Sequence, residues 1–169
     1  LIEAFLEETA DGNDIAFCSD LDEIWNPEVL DKIDDNIHSL AQFNYCYYLD
    51  NRSSEQWVGT LMSRVKNLYV GYNKKFRSVK PNILENGGWH FTNMGGYEQI
   101  LKKTEAYDHG PELNHDWIRE HTKENMEKGL DYLGRPLDYE GKPFKMWKSE
   151  EEWPQYLKDN KQKYIHLCS

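Results

Sequence analysis

Short apolar runs separated by polar and glycine punctuation set the plan of this chain. Leu1, Ile2, Phe5 and Leu6 share one helical face, and that helix ends near Ala10, where Asp11-Gly12-Asn13 turns into the strand-like run Asp14-Ile15-Ala16-Phe17-Cys18. Asn26 and Pro27 make a helix start, and Val29, Leu30, Ile33, Ile37 and Leu40 form an apolar stripe that predicts a helix through Gln42. Strict alternation of Phe43, Tyr45, Tyr47 and Leu49 predicts a strand, followed by a turn over Asp50-Asn51-Arg52-Ser53-Ser54. Further strands are expected from Trp57 to Ser63 and from Asn67 to Tyr72, in antiparallel order, with a helical patch from Lys74 to Lys80 stopped by Pro81. Gly88-Trp89-His90-Phe91-Thr92 reads as another strand. Helices are then expected over Gly96 to Asp108, Pro111 to Leu130 and about Trp153 to Lys163, so strands and helices are interspersed in a mixed α/β order.

Charge changes this picture by locating it. Residues 1 to 35 hold twelve Asp and Glu against the single Lys32, whereas the rest of the chain carries eighteen acids and nineteen bases. The negative field therefore surrounds the first strand, which suits cation capture and argues against nucleic acid as a partner. Between Gln56 and Leu84 the sign reverses, with Arg64, Lys66, Lys74, Lys75, Arg77 and Lys80 meeting no acid, a stretch that reads as a solvated surface or as a face for anionic groups of a substrate. At 169 residues the chain is one domain by length, and its 14% of aromatic residues supplies both core and flat faces of the kind sugar sites use. Cys18, Cys46 and Cys168 form no CxxC pair, which points away from a zinc knuckle or a disulfide framework. No apolar run is long enough to span a membrane. Because the chain opens in mid-helix pattern, an upstream part is expected to be missing, and any targeting segment with it.

The chemistry concentrates in Cys18-Ser19-Asp20-Leu21-Asp22-Glu23-Ile24, three carboxylates within four positions at the end of an apolar run. In open α/β sheets ligands collect beyond the carboxyl ends of strands. If the segment is extended, alternation points Asp20 and Asp22 the same way, and a divalent cation holding a phosphorylated substrate relieves their repulsion. A bare DxD also arises as a solvated strand end. The second informative region is Gly87-Gly88-Trp89-His90-Phe91-Thr92-Asn93-Met94-Gly95-Gly96-Tyr97-Glu98. Gly95 and Gly96 let a backbone approach a ligand closely, and Glu98 falls in the first turn of the following helix. His109, Glu112, His115, Asp116 and His121 then supply imidazole and carboxylate for a ligand or an acid–base group, without the spacing of a zinc hydrolase. His38, His121 and His166 read as structural side chains.

The order DIAFCSDLDEI, an aromatic YCYYL strand, WVGTLM, GGWHFTNMGGYEQILKKTEAYDHGPE and GLDYLGR resembles glycosyltransferase family 17, from about Asp14 to Arg135. That family contains the β-1,4-mannosyl-glycoprotein 4-β-N-acetylglucosaminyltransferases. The chain departs from the family pattern at Trp25, where Pro is common after DEI, at Thr92, where Ser often follows WHF, and over AYDHGPE; the metal motif is intact. The resemblance implies an α/β fold of the GT-A nucleotide-sugar type, a mixed sheet flanked by helices, here a single catalytic domain over 1–169 lacking its N-terminal nucleotide-binding part. It implies transfer of N-acetylglucosamine from UDP-N-acetylglucosamine to a glycan or glycoprotein hydroxyl, inverting and dependent on Mn²⁺ or Mg²⁺. Asp22 would ligate the metal, Asp20 would orient its shell or the ribose, Glu23 would support both, and His109 would complete the metal site. Glu98 would take the acceptor proton, with Glu112 and Asp116 as substitutes. Gly95, Gly96 and Trp89 would contact the donor. Two other classes fit parts of the sequence: a haloacid-dehalogenase-like phosphatase, from the strand-end DxD, and a non-catalytic carbohydrate-binding module, from the aromatic content. Asn51-Arg52-Ser53 is a glycosylation sequon, meaningful only on entry to the secretory pathway.

Overall fold

A computed structural model of the chain describes residues 10–68, 80–106, 114–136, 138 and 141–169. The chain is a mixed α/β protein. Its strands are β1 (Ile15–Cys18), β2 (Glu23–Trp25), β3 (His38–Cys46), β4 (Asn51–Arg64), β5 (Ile83–Thr92) and β6 (Met146–Lys148). Its helices are α1 (Val65–Leu68), α2 (Gly96–Ala106), α3 (His115–Glu127), α4 (Gln155–Asp159) and α5 (Lys161–Tyr164), with 3-10 turns at Pro27–Lys32 and Ile165–Leu167. The six strands form one sheet in the order β1-β4-β3-β5-β2, with β6 also on β4.

β1 runs antiparallel to β4, with Ile15 opposite Arg64 and Cys18 opposite Leu61, and β2 runs antiparallel to β5, with Glu23 opposite His90. The short connection between β3 and β4 requires an antiparallel pair. β3 and β5 run the same way: Ser39 N–H donates to Pro81 O and Tyr47 N–H to Thr92 O, so both strands advance together. Two compact units divide the chain, one comprising Leu1–Gln42 and Trp57–His90, the other Phe43–Gln56 and Phe91–Ser169.

In the first unit Val29, Leu40 and Met62 are fully buried, with Phe17, Trp25, Ile33 and Leu84 packed around them. Phe17 and Trp25 stack at 4.1 Å with rings nearly parallel. The stripe that predicts a helix from Asn26 to Gln42 is therefore real as a core signal and wrong as an element. Asn26 Oδ1 accepts from Glu28 N–H and starts a 3-10 turn, but Ile33 is extended and Asp34 Oδ1 takes Asn36 N–H at 2.7 Å, a local turn that competes with helix continuation. Val29 and Leu40 meet from a 3-10 turn and a strand rather than along one helix.

The hairpin turn also falls earlier than predicted. It occupies residues 47–50, with Tyr47 at φ 71°, and Asn51 to Arg64 is one continuous strand in place of the turn over Asp50–Ser54. The left-handed Tyr47 is held from several sides: its carbonyl accepts from the N–H groups of Gly95 and Gly96, and its hydroxyl donates to Leu130 O. The strand expected from Asn67 begins instead as α1, and its end, like most of the patch from Lys74 to Lys80 and the N-terminal helix, lies outside the described residues.

In the second unit Cys46, Tyr47 and Ile100 are buried among Tyr48, Met126, Tyr132 and Met146. α2 and α3 pack on each other, and α3 is capped by Asn114, whose Oδ1 accepts from Trp117 N–H. The final predicted helix is present as α4, α5 and a 3-10 turn. No helix among the described residues is long and apolar enough to cross a membrane.

Candidate functional site

β1 ends at Cys18, and the acidic segment after it does not stay extended. Glu23 N–H donates to Asp20 O at 3.2 Å, so Asp20-Leu21-Asp22-Glu23 is a turn with Leu21 fully exposed at its tip. This corrects the alternation expected for Asp20 and Asp22. Asp20 is exposed, Asp22 half-buried and Glu23 buried as the first residue of β2.

Glu23 is the organising side chain. Trp57 Nε1–H donates to its Oε1 at 2.7 Å and Thr60 Oγ1–H to its Oε2 at 2.6 Å. Thr60 Oγ1 in turn receives Gln42 Nε2–H at 3.1 Å and lies 2.9 Å from Ser19 Oγ. Gly59 lies directly beneath: a Cβ there would run into both Glu23 Oε1 and Trp57 Nε1, so the absent side chain is what leaves room for their hydrogen bond. A buried carboxylate is tolerated when its oxygens accept hydrogen bonds, and short charge-assisted bonds of this kind are the stronger class.

The indole of Trp57 is covered by the ring of His90, at 4.4 Å between centroids and 17° between planes. His90 is 6% exposed, and its Nε2 approaches Asp22 Oδ2 at 3.6 Å. β1, β2, β4 and β5 thus place an acidic turn, an indole, a hydroxyl and an imidazole together in the first unit. The sheet depends on the glycine pair of β5 to do so: a Cβ on Gly87 would come within 2.6 Å of Leu40 Cβ, and one on Gly88 would strike Ile24 O. Trp89, singled out from the sequence, is half-buried and adjacent to His90 on β5, and successive strand residues face opposite sides.

The remaining site residues fall in the second unit or outside the described residues. Glu98 is exposed in the first turn of α2. The amides of Gly95 and Gly96 both donate to Tyr47 O, at 2.9 and 3.2 Å, and a Cβ on Gly96 would come within 2.7 Å of the Tyr48 hydroxyl. The close approach that these glycines permit is thus made by the protein's own backbone and a tyrosine. Asp116 is solvent-facing on α3, where Arg119 Nη1 reaches its Oδ1 at 3.4 Å. His121 stacks on Trp117 at 4.4 Å and its Nδ1 lies 2.9 Å from Trp117 O, which fits the structural role read for it. His38 is buried, with Nε2 2.7 Å from Asp34 Oδ1. His109 and Glu112 lie outside the described residues.

Among the described residues no three His, Cys, Asp or Glu side chains are grouped so as to hold a metal ion. The donor set at the turn therefore does not make a closed, protein-only metal centre. Hard carboxylate oxygens at an accessible turn do fit Mg²⁺ or Mn²⁺ of the kind that takes its other oxygens from a diphosphate and water. Each oxygen of Glu23 accepts a short hydrogen bond, from Trp57 and from Thr60.

Sequence reasoning missed His90, Trp57 and Thr60. All three stand in stretches already notable, GGWHF and WVGTLM, but only strand register reveals which member of each faces the carboxylates. No protein-family model, no curated protein and no solved structure matches this chain.

Proposed function

We propose that this chain is a metal-dependent glycosyltransferase of the GT-A type, similar to family 17, that moves N-acetylglucosamine from UDP-N-acetylglucosamine to a glycan hydroxyl with inversion. The observation that carries this reading is the acidic turn after β1, fixed through Glu23 by Trp57 and Thr60 and faced at Asp22 by His90. The motifs that bear the family resemblance, SDLDEI, WVGTLM and GGWHF, are thereby in one place, although they are far apart in sequence.

In this reading Asp22 and Asp20 would hold Mn²⁺ or Mg²⁺ for the donor's diphosphate. The cation supplies neutralisation of the charge that develops on the departing nucleoside diphosphate. Glu23 is a positioning residue: with both oxygens engaged, it fixes the end of the turn rather than ligating. By the resemblance alone, Trp89 would contact the donor and His109 the cation, whereas the amides of Gly95 and Gly96 are already taken by Tyr47 O. A carboxylate, Glu98 with Glu112 or Asp116 in its place, takes the acceptor hydroxyl proton while the hydroxyl oxygen attacks the anomeric carbon and UDP leaves.

Calorimetric titration of UDP with and without Mn²⁺ tests the reading. Binding that requires Mn²⁺ and is lost in Asp22→Asn, with thermal stability unchanged, is the expected result. Undiminished binding in Asp22→Asn, or UDP binding as tight without Mn²⁺ as with it, overturns it. Mn²⁺ alone is expected to bind weakly, because the turn provides only part of a coordination shell.

A further inference from the structure

Asp22 and Glu23 are neighbours in sequence but are held in different ways. Glu23, opposite His90 in the pairing of β2 with β5, is buried and accepts a hydrogen bond at each oxygen. The Asp22 side chain keeps 34% of its surface in solvent at the end of a turn. A short side chain in that setting ordinarily samples several rotamers, and ordering it when a ligand arrives costs affinity.

The group that faces Asp22 has little room to move. The His90 side chain is buried, and its ring lies on the Trp57 indole at 4.4 Å and 17°. The indole is pinned in turn at its Nε1 edge by Glu23 Oε1, at 2.7 Å, above a glycine whose Cβ would strike both atoms. The restraints therefore run in a circuit, from Glu23 to Trp57, from Trp57 to His90, from His90 to Asp22 and back along the chain to Glu23. His90 Nε2 lies 3.6 Å from Asp22 Oδ2, longer than a hydrogen bond and within the range of an ion pair or a charge–dipole contact. A lone pair turned towards a carboxylate would repel it, so Nε2 is the nitrogen that carries a proton, in the neutral ring as in the imidazolium. The contact is attractive in both states.

We propose that His90 is a positioning residue: its Nε2–H, aimed by the stack on Trp57, selects the rotamer in which the Asp22 carboxylate is presented to a divalent cation. The inference rests on the reading of Asp22 as a cation ligand, and it gives His90 no contact with cation or substrate. Partners that stand behind a ligating carboxylate in this way are worth about 10- to 100-fold in metal affinity.

Two substitutions separate the nitrogen from the ring. His90→Phe keeps an aromatic face on Trp57 and removes the N–H, whereas His90→Gln gives up the ring and returns a donor near the position of Nε2. Three-bond couplings from Asp22 Cγ to its backbone N and carbonyl carbon report its χ1 angle without any metal. They are expected to show one staggered rotamer in the parent, rotamer averaging in His90→Phe and recovery in His90→Gln, with cooperative unfolding kept in both variants. Mn²⁺ titration, followed by paramagnetic broadening of the amides of the acidic turn, is expected to be weaker by about tenfold or more in His90→Phe and near the parent in His90→Gln. Averaged couplings in the parent, couplings or Mn²⁺ affinity unaltered in His90→Phe, or equal losses in the two variants overturn the proposal. A parent that shows no broadening at the turn instead removes Asp22 as a ligand, and with it the purpose assigned to His90, even where the couplings bear out the contact.

Discussion

Replacing Thr60 with Val removes one oxygen and nearly conserves shape, at a fully buried position where that oxygen does three things. Its proton goes to Glu23 Oε2 at 2.6 Å, and its two lone pairs face Gln42 Nε2 at 3.1 Å and Ser19 Oγ at 2.9 Å. Loss of a hydrogen bond to a charged group costs about 1.5–3 kcal/mol, and that of a neutral one about 1 kcal/mol. Ser19 is exposed and re-forms its bond with water, whereas Gln42 is fully buried, and its Oε1 already has no partner. The expected destabilisation is about 2–4 kcal/mol, from the Glu23 and Gln42 bonds together. For a chain of this length that corresponds to a fall in Tm of roughly 4–16 °C. Urea denaturation followed by tryptophan fluorescence and circular dichroism measures it, with Thr60→Ser, which keeps the oxygen, expected to cost about 1 kcal/mol or less through the lost methyl. If Thr60→Val lies within about 0.5 kcal/mol of the parent, the hydroxyl is not the hub of this cluster and the reasoning fails.

Gly59→Ala places a methyl against Glu23 Oε1 and Trp57 Nε1, so their bond is expected to break at a cost of about 2 kcal/mol. Altered Trp emission should accompany the loss, and an unchanged spectrum with unchanged stability would count against the packing described. Asp34 is pulled from its ordinary 3.8 to about 2 by the Asn36 backbone N–H, then by His38 and the Asn36 side chain. A folded pKa below the unfolded one stabilises above pH 4 and is lost as pH falls towards 2, so Asp34→Asn should flatten that part of an acid denaturation curve. A curve of unchanged slope there would remove the assignment. Burial pushes the Cys46 thiol up to about 12, so at pH 8 a maleimide should modify the half-buried Cys18 and Cys168 first and Cys46 only on unfolding; equal rates for all three contradict its burial.

Where local chemistry was sufficient, the sequence was legible. Asn26 and Pro27 do start a turn of helix, Asn114 caps α3 within a segment read as helical, and the run ending at Cys18 is a strand. The same residues misled where two local preferences competed. Ile37 and Leu40 continue a helical stripe by spacing, but the Asp34–Asn36 side-chain turn intervenes and releases the chain into β3. The acidic turn was located, but its conformation depends on β2 joining β5, a pairing between segments far apart in sequence that no local signal announces.

What the sequence determined by itself is the chemistry available and roughly where it lies: a concentrated negative field at the end of β1, glycine pairs that bring strands and helix starts close, and aromatic strands rich in tyrosine and tryptophan. Tertiary structure decided which of those groups meet. Alternation establishes that Trp89 and His90 face opposite ways, yet only the register of Glu23 opposite His90 selects the imidazole for the carboxylates. Likewise Arg52 reads as an ordinary charged residue in a turn until β4 and β6 pair and bury it among rings. The physical reason is common to both: period-two patterning fixes which residues share a face, while strand pairing across long separations, set by packing of the whole sheet, fixes what that face is turned towards.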